Sequence, residues 1–366
     1  MLNEKRNYLL LTPGPLSTAQ SVRESMLQDW CTWDDDYNIG IVQNIRARLV
    51  ALAAKHTEAY TSVLMQGSRT YAIEAALIGS APKNDKLLIL SNGVYGDRMA
   101  EIARYAGLNH AVLAFEQTET PSVTATEHFL QQHGDVTRLA FVHCETTSGI
   151  LNPLAELCTV AKKYGKTIIV DAMSSFGGIP FDMEEHGIDF MVSSANKCIE
   201  GVPGFGFIIA RRDLMALCKG NSPSLSLDMY SQWETMEKQP GKWRYTSPTH
   251  TVRAFKQALD ELDAEGGIDA RYERYKLNRQ ILCEGMKNLG YKALIADELQ
   301  SPIISSFEYP SENFPFRDFY THLKQSGFVI YPGKISNKET FRIGTIGQVF
   351  PEDIRKLLEV IADYRY

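Results

Sequence analysis

The sequence lacks the patterns of a metal-binding or disulfide-stapled protein. Its 366 residues contain six cysteines and no C-x-x-C pair, which argues against a structural zinc site and against a disulfide framework. His143 and Cys144 are adjacent, a spacing that suits no recurring metal motif. We therefore expect no bound metal and a reduced, cytoplasmic setting.

Long apolar runs and an excess of positive charge are also missing. The longest apolar runs, such as residues 205–210, have the length of a strand, so no segment predicts a membrane span. The net charge of −6 provides no basic surface for nucleic acid or for an anionic membrane. The first 15 residues lack the full apolar region of a signal peptide, so we expect no signal peptide.

Two nucleotide-binding motifs are incomplete. The stretch YGKT at 164–167 lacks the upstream glycine of a P-loop and leads into a predicted strand. The glycines at 201, 204 and 206 precede a strand, whereas a dinucleotide fingerprint follows one. Neither motif therefore predicts a nucleotide site.

What the sequence does contain is the pattern of an α/β protein. Hydrophobic residues make up 44% and charged residues 22%, as in ordinary globular proteins. Short apolar segments alternate with helical ones, and the predicted strands are 86–90, 138–144, 166–172, 189–195 and 204–210. Strands that are apolar on both faces and separated by helices, such as 153–164, predict a mostly parallel sheet covered on two sides. Ligands bind at the carboxyl ends of the strands in such sheets.

The chain length and a glycine pair suggest two domains. A predicted helix at 252–265 leads to Glu-Gly-Gly at 265–267, and a chain of this length commonly divides. After it come a helix at about 270–288 and strands near 301–307, 327–333 and 340–344. We predict an N-terminal arm at 1–20, a large domain at 21–264 and a smaller C-terminal α/β domain at 265–366.

Asp171 and Lys197 each follow a predicted buried strand. Asp171 ends the strand at 166–172, and a buried carboxylate there needs a cationic partner, although a turn or helix-cap aspartate is an equal alternative. Lys197 follows Ser194 and Ala195, which leave room beside it. A lysine kept from water has a depressed pKa and can form a Schiff base with an aldehyde; in isolation, a surface lysine is the commoner case.

Two further segments are suited to anions. A turn with Gly67 and Ser68 runs into a predicted helix from about Thr70, and helix N-termini attract phosphate, although an ordinary capped helix start is more common. Arg342 lies in an apolar strand between Phe341 and Ile343. A guanidinium there needs an anion, either a structural carboxylate or a substrate carboxylate.

Together these features resemble the fold-type-I pyridoxal phosphate enzymes and, more narrowly, the class V aminotransferases, over nearly the whole chain. The motifs that carry the resemblance are LLTPGP (10–15), NGVYGDR (92–98), HCETTSGILNP (143–153), VDAMSSFGG (170–178), SANKCIEGVPGFGF (194–207) and FRIG (341–344). The resemblance implies pyridoxal 5′-phosphate as cofactor and a homodimer with shared active sites.

The resemblance also implies a role for each matching residue. Lys197 would carry the cofactor and move the substrate proton, and Asp171 would pair with the ring nitrogen. The other implied contacts are Tyr95 and Met173 on the two ring faces, Thr146 on the ring hydroxyl, Ser68, the backbone of Arg69 and Thr70 on the phosphate, Thr246 on the phosphate from the neighbouring subunit, and Arg342 with Gly14 in the substrate pocket.

One position departs from the family. The phosphate turn usually reads G-S-G-T, whereas Gly67 to Thr70 reads G-S-R-T. If the third position needs a positive φ, Arg69 is costly there; if it needs only an N–H group, arginine fits and adds charge near the phosphate.

Three segments indicate the substrates. Residues 29–38, 241–250 and 327–334 resemble the members of the class that exchange an amino group between 2-aminoethylphosphonate and pyruvate, giving phosphonoacetaldehyde and L-alanine in phosphonate catabolism. The alternatives are an alanine–glyoxylate or serine–pyruvate enzyme of the same class, a cysteine desulfurase, which the positions of the cysteines disfavour, and a binding protein without turnover.

Overall fold

The computed structural model describes residues 8–82, 85–333, 335 and 338–365. Residues 1–7 of the predicted N-terminal arm lie outside the described residues, as do Lys334 of the segment 327–334 and Tyr366 at the end of the predicted small domain.

Strands and helices alternate along most of the chain. The strands are β1 (Leu9–Leu10), β2 (Tyr60–Gln66), β3 (Leu87–Ser91), β4 (His110–Ala114), β5 (Arg138–Val142), β6 (Cys144–Glu145), β7 (Ile150–Leu151), β8 (Thr167–Asp171), β9 (Phe190–Ser194), β10 (Phe205–Arg211), β11 (Ile304–Glu308), β12 (Phe328–Val329), β13 (Tyr331–Pro332) and β14 (Thr340–Gly344).

The helices vary from one turn to six. The α-helices are α1 (Gln20–Glu24), α2 (Asp35–Tyr37), α3 (Asn44–Ala53), α4 (Arg69–Gly79), α5 (Val94–Tyr105), α6 (Val123–Gln132), α7 (Leu154–Lys163), α8 (Arg212–Ala216), α9 (Met229–Lys238), α10 (Thr249–Glu265), α11 (Gly267–Asn288), α12 (Phe316–Gln325) and α13 (Pro351–Asp363). Short 3₁₀ helices cover Ser25–Leu27 and Thr57–Ala59, and a π-helix covers Asn38–Gln43.

A seven-stranded sheet forms the centre of the molecule, in the order β2-β10-β9-β8-β5-β3-β4. The pairs from β9 through β8, β5 and β3 to β4 are parallel, while β10 is antiparallel to both β9 and β2. Strands β3, β5 and β9 are buried along their whole length, because helices cover the sheet on both faces. The predicted α/β class with a mostly parallel sheet is confirmed.

The five strands predicted in this region are all present, each within a few residues of its predicted bounds. Strands β2 and β4 were not predicted. The helices predicted at 153–164 and 252–265 correspond to α7 and α10. Helix α10 ends at Gly266, which has a φ of 107°, the left-handed conformation that glycine adopts without cost at a helix end.

A second, smaller core lies near the C-terminus. The three-stranded antiparallel sheet β11-β14-β13 packs with α11, α12 and α13 around aromatic side chains such as Phe307, Phe319 and Phe341. Strand β1 pairs with β12 in parallel, and Leu11 joins this smaller core, so the chain before α1 lies against the C-terminal region. The boundary near residue 265 stays a prediction. No helix among the described residues is both long and apolar enough to cross a bilayer.

Candidate active site

Asp171 and Lys197 lie at the same edge of the central sheet. Asp171 is the last residue of β8, and Lys197 follows the end of β9 at Ser194. These two strands are parallel neighbours, with Asp171 paired opposite Val192, so the residues that follow them meet at the carboxyl edge. Both side chains are buried.

The Lys197 amine is held away from water and close to the N-terminal segment. Its Nζ donates a hydrogen bond of 2.6 Å to the carbonyl of Pro13. Burial lowers the pKa of Lys197 and outweighs the opposing effect of Tyr95, and the nearby Arg69 charge, a smaller effect, lowers it further. A lowered pKa favours the neutral, nucleophilic form of a lysine amine.

Gly14 permits this close approach. Its φ is 125°, and a Cβ atom there would lie 2.9 Å from the Nζ of Lys197 and 3.0 Å from the carbonyl oxygen of Asn196. Glycine is therefore required both for the backbone conformation and for the space beside the amine. The segment LLTPGP thus lies against Lys197, while the place of Gly14 in a substrate pocket stays a prediction.

The cation beside Asp171 is the side chain of Arg69, which lies 102 positions away in sequence. The Nη2 and Nε atoms of Arg69 donate hydrogen bonds of 2.5 Å and 3.1 Å to Oδ2 of Asp171. Oδ1 accepts a third bond, 3.0 Å long, from the backbone N–H of Met173. Burial is the largest single effect and would lower the pKa of Arg69, but Asp171, Tyr95 and Glu145 together outweigh it and the pKa is raised.

Tyr95 covers the other side of this guanidinium. The Cζ atom of Arg69 lies 3.7 Å from the centroid of the Tyr95 ring, which is the stacking geometry of a cation–π contact. The Nη1 atom of Arg69 is buried without a hydrogen-bond partner among the described residues. Arg69 thus lies against two of the side chains that the resemblance assigns to the cofactor ring, Asp171 and Tyr95.

The turn before α4 has the conformation of a helix N-terminus. Gly67 takes the positive φ, at 118°, and Ser68 is the extended residue that precedes the helix. Arg69 is the first helical residue, and Glu200 is the only described non-glycine residue with a positive φ. The departure at Arg69 therefore does not strain the turn, and its N–H and that of Thr70 belong to the first helical turn, which has no intrahelical partners.

A buried carboxylate that the sequence analysis overlooked fixes the start of α5. Oε2 of Glu145 accepts a hydrogen bond of 3.2 Å from the backbone N–H of Tyr95. Oε1 accepts bonds from the backbone N–H and the hydroxyl of Thr147, at 3.0 Å and 2.6 Å. Burial raises the pKa of Glu145. The signal was available, because Glu145 lies within the motif HCETTSG beside Thr146.

The remaining predicted cofactor contacts are divided between the site and the surface. Thr146 and Met173 are buried, and Oγ1 of Thr146 has no hydrogen-bond partner among the described residues. Thr246 is exposed. The structure brings Thr146 and Met173 to the site region but leaves Thr246 on the surface of its own subunit.

Arg342 joins the C-terminal region to the site. It lies buried in β14. Its Nη1 donates a hydrogen bond of 2.8 Å to the carbonyl of Thr146, and its Nε donates one of 3.1 Å to the carbonyl of Pro332. It forms no salt bridge with any described residue, and Nη2 has no hydrogen-bond partner among them. Burial lowers the pKa of Arg342. Because a buried guanidinium without a carboxylate is costly, Arg342 is suited to an incoming anion.

These residues fit pyridoxal phosphate, the group that the resemblance implies. The buried Thr146 hydroxyl without a partner matches a ring hydroxyl, the Lys197 amine matches an aldehyde, and the helix start at Arg69 and Thr70 matches a phosphate. The buried carboxylate of Asp171 holds a planar cation, and a protonated pyridine ring is another planar cation. In this structure the Arg69 side chain holds that position.

Comparison with protein families and relatives gives consistent matches. The model of the family "Aminotransferase class-V" matches residues 39–348. A 2-aminoethylphosphonate–pyruvate transaminase from Bacteroides fragilis (strain YCH46) is 61% identical over 359 residues, which is 98% of this chain and 99% of that protein. An enzyme of the same name from Bacillus thuringiensis (strain Al Hakam) is 55% identical over 358 residues, 98% of each chain.

Solved structures of lower identity share the fold. An alanine–glyoxylate aminotransferase from Nostoc sp. has a TM-score of 0.89 at 20% identity, covering 99% of this chain and 96% of that one. A ureidoglycine–glyoxylate aminotransferase from Bacillus subtilis has a TM-score of 0.87 at 22% identity, covering 99% and 93%. At these identities the likeness concerns the fold alone.

Proposed function

This chain belongs to the class-V aminotransferase family, and from that premise we propose that it transfers the amino group of 2-aminoethylphosphonate to pyruvate, forming phosphonoacetaldehyde and L-alanine. The observation that carries this function is the 61% identity, over 98% of the chain, to a transaminase named for those two substrates. The buried Arg342 without an acidic partner among the described residues supports it, because both substrates are anions.

The fold is fold type I of the pyridoxal phosphate enzymes, and pyridoxal 5′-phosphate is the cofactor. When bound, it supplies two things: an aldehyde, which receives the amino group, and an electron-poor ring. We propose that Lys197, Asp171, Tyr95, Thr146 and Met173 hold its ring and aldehyde, and that Ser68, Thr70 and the backbone of Arg69 hold its phosphate.

Lys197 is proposed to move the proton of the reaction. Burial lowers its pKa, which makes the neutral form of Nζ, the form that can accept a proton from the substrate carbon, easier to reach. The same atom then returns the proton within the site. General acid–base catalysis works best when the pKa of the group lies near the working pH, and burial moves this lysine in that direction.

Arg342 is proposed to bind the substrate anion in both halves of the reaction. Nε and Nη1 are held by the carbonyls of Pro332 and Thr146, which orients the guanidinium, while Nη2 is left without a protein partner among the described residues. A guanidinium can bind a phosphonate and a carboxylate in turn, since both offer oxygen pairs to its planar donors.

The other class-V activities are disfavoured for this chain. The relatives at 55–61% identity carry the phosphonate substrate in their names, whereas the alanine–glyoxylate enzyme of similar fold is only 20% identical. The main prediction from the sequence is therefore supported over its alternative.

The test is an amine panel with the purified, cofactor-loaded protein. We expect alanine to form from pyruvate with 2-aminoethylphosphonate, and much less with serine, glycine or β-alanine. Lys197→Ala should abolish turnover, while a variant of an exposed lysine, Lys219→Ala, should retain it. Equal rates with serine and with the phosphonate would overturn the substrate assignment.

A homodimer with shared sites is also proposed. A groove of ≈ 690 Å³ beside the phosphate turn is lined by Gly67, Tyr71 and Tyr245, among others. Tyr71 and Tyr245 are each 52% exposed, and Leu225 nearby is 72% exposed. A second copy that covers this groove would bury these side chains and bring the exposed Thr246 of one subunit toward the phosphate turn of the other.

The cellular setting is proposed from the cysteines and the substrates. All six cysteines are free thiols, as is usual in the reducing cytoplasm. We place the enzyme in the cytoplasm, at a step of phosphonate catabolism that converts an aminophosphonate to an aldehyde.

A further inference from the structure

We propose that the Arg69 guanidinium and the cofactor ring compete for one position between Asp171 and Tyr95, so that Arg69 must leave when the cofactor binds. This inference rests on the proposed assignment of these residues to the cofactor. It concerns the one position of the phosphate turn where this chain departs from its family.

The contacts of Arg69 are those of a planar, cationic ligand. Two of its nitrogens bind one oxygen of Asp171, at 2.5 Å and 3.1 Å, and its Cζ lies 3.7 Å from the centroid of the Tyr95 ring. A protonated pyridine ring shares both properties, since it offers one N–H to a carboxylate and a flat face to an aromatic ring. The guanidinium therefore satisfies Asp171 and stacks on Tyr95 in the way that such a ring would.

The two ligands exclude each other. Oδ1 of Asp171 is held by the N–H of Met173, so Oδ2 is the oxygen available to a ring nitrogen, and Arg69 holds it. At 3.7 Å from the Tyr95 centroid, the guanidinium is in van der Waals contact with that ring, and no second planar group fits between them. Cofactor loading must therefore exchange one cation for another on Asp171.

The contact between Arg69 and Asp171 is favourable and still displaceable. Without Arg69, the buried carboxylate of Asp171 would lack a positive partner, which is strongly unfavourable. The Nη1 atom, however, is buried without a hydrogen-bond partner among the described residues, and such an unpaired donor costs free energy. Displacement of Arg69 returns this donor to water, and this gain offsets part of the free energy lost with the ion pair.

The backbone at this position allows the exchange. Arg69 is the first residue of α4 and has no positive φ, so its side chain can turn away without a change in the helix. A glycine or alanine at position 69 has no group that could reach Asp171. Arg98 provides a matched comparison, because its Cζ lies 5.3 Å from the Tyr95 centroid but forms no bond with Asp171.

The experiment uses the full chain, stripped of cofactor and then titrated with pyridoxal phosphate. The variants are Arg69→Ala, Arg69→Gly, Arg69→Lys and the control Arg98→Ala. The measurements are the Kd and association rate from the absorbance of the bound cofactor, and the Tm with and without cofactor; none of them depends on turnover.

We expect the Arg69→Ala protein to lose about 2–4 °C in Tm without cofactor, and to change little when loaded. We expect its Kd for pyridoxal phosphate to fall about tenfold, with faster association, since a hydrogen-bonded charge pair is worth at least that factor. Arg69→Gly should behave like Arg69→Ala, Arg69→Lys should be intermediate, and Arg98→Ala should resemble the wild type.

Two outcomes would overturn the inference. An unchanged Tm and Kd in Arg69→Ala would show that Arg69 does not occupy the site in solution, and a weaker Kd would show that it contacts the bound cofactor. Failure of the site assignment itself looks different: the absorbance of the bound cofactor would then be insensitive to Lys197→Ala, whatever the Arg69 variants do.

Discussion

Single residues carry the chemistry of this enzyme because burial changes what each charged group can do. Arg342 is buried in a strand with two carbonyl acceptors and no acidic partner among the described residues. An arginine with a purely structural role at such a position is ordinarily paired with a carboxylate. We therefore propose that the positive charge of Arg342 serves the substrate anion.

Replacement of this guanidinium should weaken the binding of both substrates. We expect Arg342→Ala to raise the KM for 2-aminoethylphosphonate and for pyruvate by about 10- to 100-fold, because a hydrogen bond to a charged group contributes about 1.5–3 kcal/mol. Arg342→Lys should recover part of the loss. Steady-state kinetics with each substrate varied in turn gives the measurement, and Arg355→Ala, at an exposed position, is the control. An effect on neither KM would assign Arg342 to structure.

A buried histidine beside the site should make the protein sensitive to acid. Burial, with a smaller effect of His186, lowers the pKa of His143 from 6.5 to about 3, and its ring packs edge-on against Phe181 at 5.2 Å. The unfolded chain takes up a proton at this residue below about pH 6.5, while the folded chain does so only near pH 3. Stability is therefore lost as the pH falls between these two values.

The size of this effect can be measured by removing the titrating ring. At about pH 5 the loss due to His143 is roughly 2 kcal/mol relative to neutral pH. We expect His143→Leu to lose less Tm than the wild type between about pH 7.5 and pH 5, and His128→Leu, at an exposed position, to lose as much as the wild type. Equal losses in all three proteins would contradict the assigned pKa.

At the scale of an element, the turn after β9 connects Lys197 to the C-terminal region. Glu200 closes this turn, with its N–H bonded to the carbonyl of Lys197 at 2.7 Å, and its φ is 66°, a strained value for a residue with a side chain. Its carboxylate accepts bonds from Tyr275 at 2.6 Å, Arg274 at 2.9 Å and Gln348 at 2.9 Å. These bonds hold the strained turn.

Loss of the Glu200 carboxylate should destabilise both the turn after β9 and its contacts with the C-terminal region. We expect Glu200→Ala to destabilise the protein by about 3 kcal/mol, because removing one member of a buried charge network leaves its partners unpaired. Glu200→Gln keeps an acceptor and should lose clearly less. Chemical denaturation of both variants gives the comparison, with Glu359→Ala on the surface of α13 as the control. Equal stability of Glu200→Ala and Glu359→Ala would refute this role.

At the scale of the whole molecule, two cores and a second subunit are proposed to complete one site. Lys197 and Asp171 come from the central sheet, Arg342 comes from β14, and Gly14 comes from the segment that precedes α1. The exposed aromatic groove beside the phosphate turn is the surface that a second copy would cover.

Subunit mixing tests the shared site. We expect Lys197→Ala and Thr246→Glu to be inactive separately, since each subunit pair lacks an intact site. Mixed dimers should regain activity, because one of their two sites combines an intact Lys197 with an intact Thr246 from the partner. Lys197→Ala mixed with Asp171→Ala is the control and should stay inactive, since both residues belong to one subunit. No recovery in the first mixture, with dimers seen by sedimentation, would rule out the contribution of Thr246.

The sequence by itself determined the parts of this protein that depend on local pattern. Unbroken apolar runs predict buried strands, and they predict β3, β5, β8, β9 and β10. The positions of Asp171 and Lys197 at strand ends follow from the same runs. Strand β4, half-exposed at the edge of the sheet, has a weaker apolar signal and was missed, as was β2 before the phosphate turn.

Only the tertiary structure decided which distant groups meet. Nothing local to Arg69 indicates that its side chain binds a carboxylate 102 positions away, or that Glu145 accepts the N–H of Tyr95. The network at Glu200 likewise joins residues 75 and 148 positions apart. Such contacts depend on which strands are neighbours in the sheet. That spatial order is set by the packing of the whole chain, and no short stretch of sequence predicts it.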